Sequence, residues 1–267
     1  SIAMKDNLNL LNNRNVKIIK PGHGDQACGD VGEGRLAEPS SIAQQVAEIF
    51  ENLSLGGKRV LITVGATVEA IDPVRFISNH SSGKMGMALA SACIQAGAKT
   101  TIVVGSISTE EEKRATSIYA TSADEMHDAV MDNIDNQDLF ISCAAVADYR
   151  PSKVSLNKIK KSNEKEIIEL VLNRDILSDV CHLSKKPICI GFAAETENCI
   201  KNAKQKLEKK NCDAIILNDV SDPNIGLKSD ENEVHFITKG DSKIIKKNSK
   251  AIIAEKIIKI ISKKFFY

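Results

Sequence analysis

The chain has 267 residues, 42% of them hydrophobic and 27% charged, and its 36 basic residues nearly balance 35 acidic ones. This composition is typical of a globular protein, and the charge balance argues against nucleic acid or a membrane surface as the main partner. No apolar stretch approaches the ~18 residues of a membrane-spanning helix, and the first residues lack the apolar core of a signal peptide. Seven cysteines without a C-x-x-C pair indicate reduced thiols in a cytoplasmic protein rather than a metal site.

The first part of the chain differs from the rest in its glycine content and in its pattern of apolar residues. A helical pattern over about 4–14 precedes a short strand at 16–19, and a glycine-dense run over 21–35 leads to a second helix over about 40–51. Ser40 or Ser41, which follow Pro39, would cap that second helix. We therefore predict two domains, a small one over 1–54 and a larger one over 55–267.

From Lys58 onward, apolar β-branched runs alternate with helical patterns. The predicted strands lie near 58–64, 99–104, 116–120, 138–143, 188–192, 213–217 and 234–237, and the predicted helices near 84–97, 123–135, 174–184, 197–210 and 249–264. This alternation predicts an α/β fold, a Rossmann-like, doubly wound and mostly parallel sheet with helices on both faces. Residues 150–172 interrupt the alternation and are expected to lie outside the main sheet.

The end of the chain is strongly basic. Residues 239–267 carry nine lysines and two acidic residues, a net charge of +7, and isoleucines recur at helical spacing between 252 and 261. Most of these lysines are expected on the solvent face of an amphipathic C-terminal helix. A basic patch that binds a partner is the alternative.

Two glycine patterns resemble known nucleotide loops. Residues 22–27 and 32–37 both fit G-x-G-x-x-A, but a dinucleotide site needs its glycines to open directly into a helix, and here the glycines continue further. Gly83-Lys84 imitates a phosphate loop, with Ser78 and Met85 in place of its leading Gly and its Ser/Thr. Both interpretations are disfavoured.

Residues 72–86, DPVRFISNHSSGKMG, form the most informative stretch. They are polar and lie between a strand and the predicted helix at 84–97. The backbone N–H groups of Ser81, Ser82 and Gly83 at that helix start would favour an anion. Capping of the helix by a serine is the alternative, but it leaves Asn79 and His80 unexplained.

Two further clusters follow strand ends, where ligands of open α/β sheets bind. The first is SCAAVADYRP at 142–151, in which Asp148 could accept hydrogen bonds or cap a turn; KIKK at 158–161 follows and suits either polyphosphate or solvent. The second is IGFAAETEN at 190–198, in which Phe192 either fills the core or stacks on a base. Lys206 and Lys210 lie one turn apart on the following helix.

Taken together, these motifs resemble the bacterial phosphopantothenate–cysteine ligases of coenzyme A biosynthesis. The matching elements are DPVRFISNHSSGKMG, AAVADYRP, KIKK, NRDI, GFAAETEN and NDVSD…SDEN, which cover residues 58 to about 240. Residues 1–52, with PGHGDQACGDVGEGRLAEP, resemble the C-terminal end of phosphopantothenoylcysteine decarboxylase, a flavoprotein fused before the ligase in many bacteria. In that family Cys28 would be the proton donor, and the domain that binds FMN would lie before Ser1, so decarboxylation and FMN are not expected of this chain alone.

The resemblance implies a reaction and a set of residues. The substrates would be 4′-phosphopantothenate, L-cysteine and CTP with Mg²⁺, the intermediate an acyl-CMP, and the protein a homodimer formed around the excursion at 150–172. Asn79 and Lys158 would be catalytic, Ser81–Gly83 would hold substrate phosphate, and the metal would be carried mainly by the CTP phosphates. The nucleotide would be bound by Ser142, Cys143, Ala144, Asp148, Lys158, Asn173, Arg174, Asp175, Ile176, Phe192, Lys206 and Lys210.

Arg174 departs from this family pattern, because it stands where proline is usual in NPDI. Two other functions stay open at this point. One is a nicotinamide-dependent reductase on a Rossmann-like fold, and the other is a non-catalytic remnant of a larger enzyme.

Overall fold

The structure is a computed structural model that describes residues 2–14, 16–25, 31–51, 53–161, 165–195, 197–219 and 229–267. The chain divides into two compact units, Ser1–Leu53 and Ser54–Tyr267. This division lies one residue from the predicted boundary. That the smaller unit is the end of a decarboxylase stays a prediction. No helix in the described ranges is both long and apolar enough to cross a membrane.

The smaller unit contains two helices and a hairpin. These are α1 (Ile2–Asn13), β1 (Gly22–Asp25), β2 (Val31–Arg35) and α2 (Pro39–Glu51), with β1 and β2 antiparallel. The strand predicted at 16–19 is wrong, because these residues belong to no strand. The predicted serine caps are also wrong. The helix α2 begins at Pro39, whose fixed φ and missing N–H suit a first helical turn.

The glycine run 22–37 supports no dinucleotide fingerprint where it is described. Gly32 and Gly34 lie in the strand β2 rather than at the start of a helix, which is the geometry that a pyrophosphate site requires. Cys28 lies outside the described residues, so its predicted role stays a prediction.

The larger unit is built on one sheet with two small hairpins beside it. Its strands are β3 (Arg59–Val64), β4 (Val68–Ala70), β5 (Phe76–Ser78), β6 (Lys99–Val104), β7 (Thr116–Tyr119), β8 (Leu139–Ser142), β9 (Tyr149–Pro151), β10 (Leu170–Leu172), β11 (Ile188–Glu195), β12 (Ala214–Asp219), β13 (Glu231–Ile237) and β14 (Ser242–Ser249). The main sheet has the order β14-β13-β12-β11-β8-β3-β6-β7 among the described residues. All its pairings from β12 to β7 are parallel, whereas β13 and β14 are antiparallel to their neighbours.

Helices cover both faces of this sheet. They are α3 (Lys84–Gln95), α4 (Ala123–Asn133), α5 (Ile176–Cys181), α6 (Cys199–Lys209) and α7 (Lys250–Phe265). Leu89 of α3 and Ile257 of α7 pack in one core cluster, and Met126 of α4 and Leu207 of α6 pack in the other. The predicted doubly wound, mostly parallel α/β fold is therefore confirmed.

The excursion at 150–172 lies outside the main sheet, as expected. Within it β9 pairs antiparallel with β10, and a second small hairpin pairs β4 with β5. Neither hairpin belongs to the eight-stranded sheet. The four short strands were not predicted, since three residues are too few to show an alternating pattern.

The basic end of the chain differs from its prediction. Lys256, Lys259, Lys263 and Lys264 are exposed on α7, but three more of the nine lysines lie on the edge strand β14. Lys250 is buried at the start of α7. The expectation that most of the lysines lie on the solvent face of one helix is therefore wrong.

Candidate active site

A cleft of about 840 Å³ opens at the carboxyl edge of the sheet. Its walls come from the residues that follow β3 and β8, from the last residues of β11, and from the first residues of α3, α5 and α7. This edge is where open α/β sheets bind their ligands, because the strand ends and the helix starts meet there. The cleft is therefore the candidate active site.

The cleft brings together almost all of the predicted site residues, although their roles stay predictions. Its lining includes Asn79, Ser81, Ser82, Gly83, Ser142, Cys143, Ala144, Asp148, Asn173, Arg174, Asp175, Ile176, Phe192, Lys206 and Lys210. Lys158 is exposed and does not line the cleft.

Two buried threonines, one near the end of β3 and one three residues after this strand, hold the loop at 143–148 that follows β8, here called the β8 loop. The hydroxyl oxygen of Thr63 accepts hydrogen bonds from the backbone N–H groups of Cys143 and Ala144, each at 3.2 Å. The hydroxyl oxygen of Thr67 accepts one from Ala147 N–H at 3.0 Å. Sequence reasoning missed both threonines, because threonine at a strand end carries no signal that separates such a role from ordinary β propensity.

Asn79 is tied to the same loop. Its side-chain amide donates to the carbonyl oxygen of Val146 at 3.0 Å. A purely local interpretation, in which Asn79 bonds its own turn, would not produce this contact across 67 residues of sequence. The contact holds the Asn79 amide against the loop that follows β8, and both Asn79 and Val146 line the cleft.

The helix α3 begins at the cleft without a side-chain cap. Gly83 precedes it at φ 78°, a left-handed conformation, and no side chain caps the first turn. A Cβ on Gly83 would lie 2.6 Å from Cγ2 of Ile107, so both the conformation and the space favour glycine. The first turn of the helix contains no acidic residue, which leaves its positive dipole end available to an anion.

Asn173 joins the loop at 173–176 to the β8 loop by hydrogen bonds. Asn173 donates from its side-chain amide to Ala147 O at 2.8 Å and from its backbone N–H to Asp148 O at 2.8 Å. The Arg150 guanidinium donates to Asn173 Oδ1 at 2.8 Å. Arg150 is a positioning residue of this cleft that sequence reasoning missed.

Arg174, the departure from the family pattern, has a defined place. Its Nε lies 3.0 Å from Asp124 Oδ1, and its terminal nitrogen lies 2.8 Å from Asp128 Oδ1. Hydrogen bonds from His127 and then from Arg174 lower the pKa of Asp128. The arginine thus ties the loop at 173–176 to α4 by ion pairs, where proline would stiffen the loop through its own ring.

Both predicted nucleotide lysines of α6 are held by carboxylates. Lys206 lies 2.7 Å from Glu195, and Lys210 lies 3.0 Å from Asp175, which also caps α5. Burial would raise the pKa of Glu195, but hydrogen bonds from Lys206 and Asn202 outweigh it and lower that pKa. The lysines are therefore positioned at the cleft before any ligand arrives.

Cys143 lies in the wall of the cleft. Burial raises the pKa of its thiol to about 12. The thiol therefore stays protonated at neutral pH and is unsuited to nucleophilic chemistry.

Carboxylates are sparse in the lining of the cleft. It contains Asp148, which is exposed, and Asp175, which is paired with Lys210. No group of three or more His, Cys, Asp or Glu side chains within the described ranges could hold a metal by itself. One carboxylate beside a phosphate site nevertheless suits Mg²⁺, which is usually bound by one or two carboxylates together with substrate phosphates.

Comparison with known proteins shows the family of this chain. The sequence profile of the DNA/pantothenate metabolism flavoprotein C-terminal domain matches residues 55–265. The chain is 43% identical over 264 residues to the coenzyme A biosynthesis bifunctional protein CoaBC of Vibrio vulnificus (strain CMCP6), covering 98% of this chain and 66% of that protein. It is 40% identical over 261 residues to the CoaBC of Escherichia coli (strain K12), covering 96% of this chain and 64% of that protein.

The chain thus spans just under two thirds of the length of these relatives. Its fold is similar to the crystal structure of the C-terminal domain of CoaBC, with a TM-score of 0.67 and 37% identity, covering 79% of this chain and 96% of that one. With most of the larger unit matched in both sequence and structure, the chain belongs to the family of the DNA/pantothenate metabolism flavoprotein C-terminal domain.

Proposed function

We propose that the chain joins 4′-phosphopantothenate to L-cysteine at the expense of CTP, as the ligase part of coenzyme A biosynthesis. The observation that carries the proposal is the cleft, whose lining unites the Asn79 loop, the β8 loop, the loop at 173–176 and the two lysines of α6. The similarity to CoaBC proteins, which are named for this pathway, supports it.

The proposed reaction has two steps. In the first, a carboxylate oxygen of phosphopantothenate attacks the α-phosphorus of CTP, the P–O bond to the β-phosphate breaks, and pyrophosphate leaves. In the second, the cysteine amine attacks the acyl carbon, the C–O bond to CMP breaks, and the amine proton passes to solvent. The products are 4′-phosphopantothenoylcysteine, CMP and pyrophosphate.

The residues of the cleft divide this work between them. Lys206 and Lys210 bind nucleotide phosphate by exchanging their carboxylate partners for phosphate oxygens. Their ion pairs hold the two ammonium groups at the cleft before the nucleotide binds. The start of α3 at Gly83 binds substrate phosphate. Asn79 donates to the acyl oxygen as negative charge develops there during cysteine attack. Asp148, together with the nucleotide phosphates, would hold Mg²⁺, which would supply positive charge to neutralise the phosphates.

Lys158 acts in this proposal from a segment beside the cleft. It is exposed and next to Ile159, whose backbone is held by Asp72 and Arg75. Closure over bound CTP would bring its ammonium to the phosphates, as mobile loops do in other transfer enzymes.

We further propose that the active protein is a homodimer in the cytoplasm. Apolar side chains on the excursion at 150–172 support a second copy as partner: Leu156 is 91% exposed, Ile167 87% and Leu172 69%. The cysteines of the described ranges are free thiols, which suits a reducing compartment. Light scattering during gel filtration, with Leu156→Glu as the variant, tests the dimer, and a monomeric wild-type protein would contradict it.

Exchange of labelled pyrophosphate into CTP tests the first step. We expect exchange to require CTP, Mg²⁺ and phosphopantothenate but no cysteine, because the acyl-CMP forms before cysteine reacts. Equal exchange with ATP would refute the choice of cytosine. The absence of any exchange, in protein that is folded by circular dichroism, would refute the ligase itself.

A further inference from the structure

Three cysteines meet at the edge of the sheet that lies opposite the cleft. Cys181 ends α5, Cys189 is the second residue of β11, and Cys212 lies two residues before β12. Because β11 and β12 are parallel, their first residues lie at the edge away from the cleft. None of these three cysteines lines the cleft, and neither the sequence motifs nor the proposed mechanism gives them a role.

The sulfur atoms of Cys181 and Cys212 are in contact. They lie 3.7 Å apart, although 31 residues of sequence separate them. The Cys189 thiol also lies beside Cys181, but it donates to the carbonyl oxygen of Pro187 at 3.3 Å. Cys212 therefore offers the thiol that is available to Cys181, and a small approach of the two side chains closes the gap to the ~2.05 Å of a disulfide bond.

Both thiols lie just beneath the surface. Cys181 and Cys212 are each 1% exposed, but their neighbours in the chain, His182 and Asn211, are exposed to solvent. Cys181 is also the last residue of the helix α5, and helix ends open locally at a low cost in free energy. Such an opening admits an oxidant as small as a peroxide.

A cation stands beside the pair. The Lys186 ammonium lies 3.0 Å from Oδ2 of Asp213, the residue that follows Cys212. Hydrogen bonds from Cys189 and Cys212 lower the pKa of the Cys181 thiol. Burial opposes this effect, and the charge of Lys186 adds to it. Since the thiolate is the reactive form of cysteine, Cys181 is the member of the pair that reacts first.

We propose that Cys181 and Cys212 are a redox-sensitive pair, which hydrogen peroxide converts into a disulfide and which a small thiol reduces again. Cysteine can fill a core simply as a small apolar side chain, but that role requires neither a contact between two sulfur atoms nor a cation beside them. Neither residue takes part in the proposed reaction, so the pair stands apart from the proposed function.

The oxidation has two steps. The Cys181 thiolate attacks one oxygen of the peroxide, the O–O bond breaks, and the departing hydroxide takes up the proton that the thiol had lost, which gives a sulfenic acid and water. The Cys212 sulfur then attacks the Cys181 sulfur, the S–O bond breaks, and the hydroxyl group leaves as water with the Cys212 proton. Two thiols are oxidised and one peroxide is reduced, so the products are one disulfide and two molecules of water. A small thiol reverses the reaction by thiol–disulfide exchange.

The disulfide would join two segments that also meet at the cleft. Asp175 caps the start of α5 and pairs at 3.0 Å with Lys210, which lies two residues before Cys212. A bond from Cys181 to Cys212 therefore restrains the segments that carry both partners of this ion pair. Lys210 is proposed to bind nucleotide phosphate by leaving Asp175, so oxidation is expected to weaken nucleotide binding. This consequence rests on the proposed function, whereas the disulfide does not.

Peptide mapping of the whole chain tests the disulfide. The protein is treated with hydrogen peroxide, its remaining thiols are blocked, and it is digested with trypsin. The sequence places Cys181, Cys212 and Cys189 in three different tryptic peptides, 175–185, 211–228 and 186–201. We expect the first two peptides to be joined with the loss of two hydrogens, and to separate after dithiothreitol. A map in which both thiols are blocked, or in which Cys181 is joined to another cysteine, would overturn the proposal.

Variants and thermal unfolding show that the bond belongs to the native fold. Cys181→Ala and Cys212→Ala should each abolish the joined peptides, and the control Cys93→Ala, at a buried cysteine of the other core cluster, should retain them. Oxidised wild-type protein should melt ~5 °C or more above the reduced protein, because a bond across 31 residues restricts the unfolded chain. Oxidised protein that melts no higher than reduced protein would overturn a bond formed within the native fold.

Steady-state kinetics measure the consequence for the cleft. We expect the KM for CTP to rise about 3-fold or more in oxidised wild-type protein and to return after dithiothreitol. Peroxide should leave the KM of Cys212→Ala unchanged. An unchanged KM in wild-type protein whose disulfide is mapped would overturn the link to nucleotide binding. If the protein performs no ligation in either redox state, the proposed function fails, and the peptide map still decides the disulfide.

Discussion

The carboxylate of Asp72 accepts a hydrogen bond from the backbone N–H of Ile159 at 3.1 Å, although 87 residues separate them in sequence. Arg75 completes the contact, because its guanidinium pairs with Asp72 and donates to Ile159 O at 2.8 Å. The first residues of the 72–86 stretch therefore clamp the KIKK segment at the residue after Lys158. Two motifs that were separate in the sequence are one unit in the structure.

The clamp is expected to protect the KIKK segment. Asp72→Asn removes the ion pair with Arg75 and weakens the bond to Ile159, so trypsin should cut after Lys158, Lys160 or Lys161 several-fold faster. Limited proteolysis with mass spectrometry of the fragments measures this. Asp135→Asn, at an exposed position, is the control, and equal cleavage of both variants would show that the clamp does not order the segment.

The clamp also predicts a pH dependence. The hydrogen bond from Arg75 lowers the pKa of Asp72, burial opposes it, and backbone N–H groups of Ile159, Val74 and Arg75 lower it further. Since the pKa is lower in the folded chain, this stabilisation is present above the ordinary value of 3.8 and is lost as the pH falls below it. The free energies of unfolding of wild type and Asp72→Asn should differ at pH 7 and converge in acid. Parallel curves down to pH 2 would contradict this.

Lys158 should matter for the first step of the reaction. Lys158→Ala removes a charged donor to phosphate and is expected to slow acyl-CMP formation by at least ~10-fold. Rapid-quench measurement of pyrophosphate release provides the rate. Lys160→Ala, in the same basic run, should change the rate of pyrophosphate release little. An equal effect of both variants would show that the lysines act only through their total charge.

Asn79 should matter for the second step. Loss of one donor to a developing oxyanion costs about 3 kcal/mol in the affected step, so Asn79→Asp and Asn79→Ala should accumulate acyl-CMP and stall when cysteine is added. The alanine variant is needed because an aspartate would also face the carbonyl oxygen of Val146, which now accepts from the amide. Chromatography of quenched reactions measures the intermediate. Equal loss of both steps in both variants would leave Asn79 a residue that only fastens the β8 loop.

Arg174 should influence nucleotide affinity through the loop that it anchors. Arg174→Met removes partly exposed ion pairs with Asp124 and Asp128, each of modest strength. We expect the KM for CTP to rise about 2- to 5-fold with little change in kcat. Lys185→Met, an exposed cation outside the cleft, is the control. A large loss of kcat with an unchanged KM would show that Arg174 touches the reacting groups instead.

The alternation of strands and helices could be predicted because the apolar pattern of a buried element is visible within a short stretch of sequence. The strands β3 and β6 appear in the sequence as apolar β-branched runs, and the structure buries most of their residues. The strand β14 could not be predicted in this way. It is an edge strand in which Ile245 is its only fully buried residue, so its lysines resemble those of a solvated helix.

The sequence by itself determined the fold class, the order of the elements and the motifs at the strand ends, because periodicity and loop chemistry depend on near neighbours. Only the tertiary structure decided that Asp72 holds Ile159, that Thr63 and Thr67 support the β8 loop, and that Lys250 is buried in the cleft. Each of these contacts joins residues far apart in the chain, and the burial and charge that give them meaning exist only once the sheet has brought its strand ends to one edge.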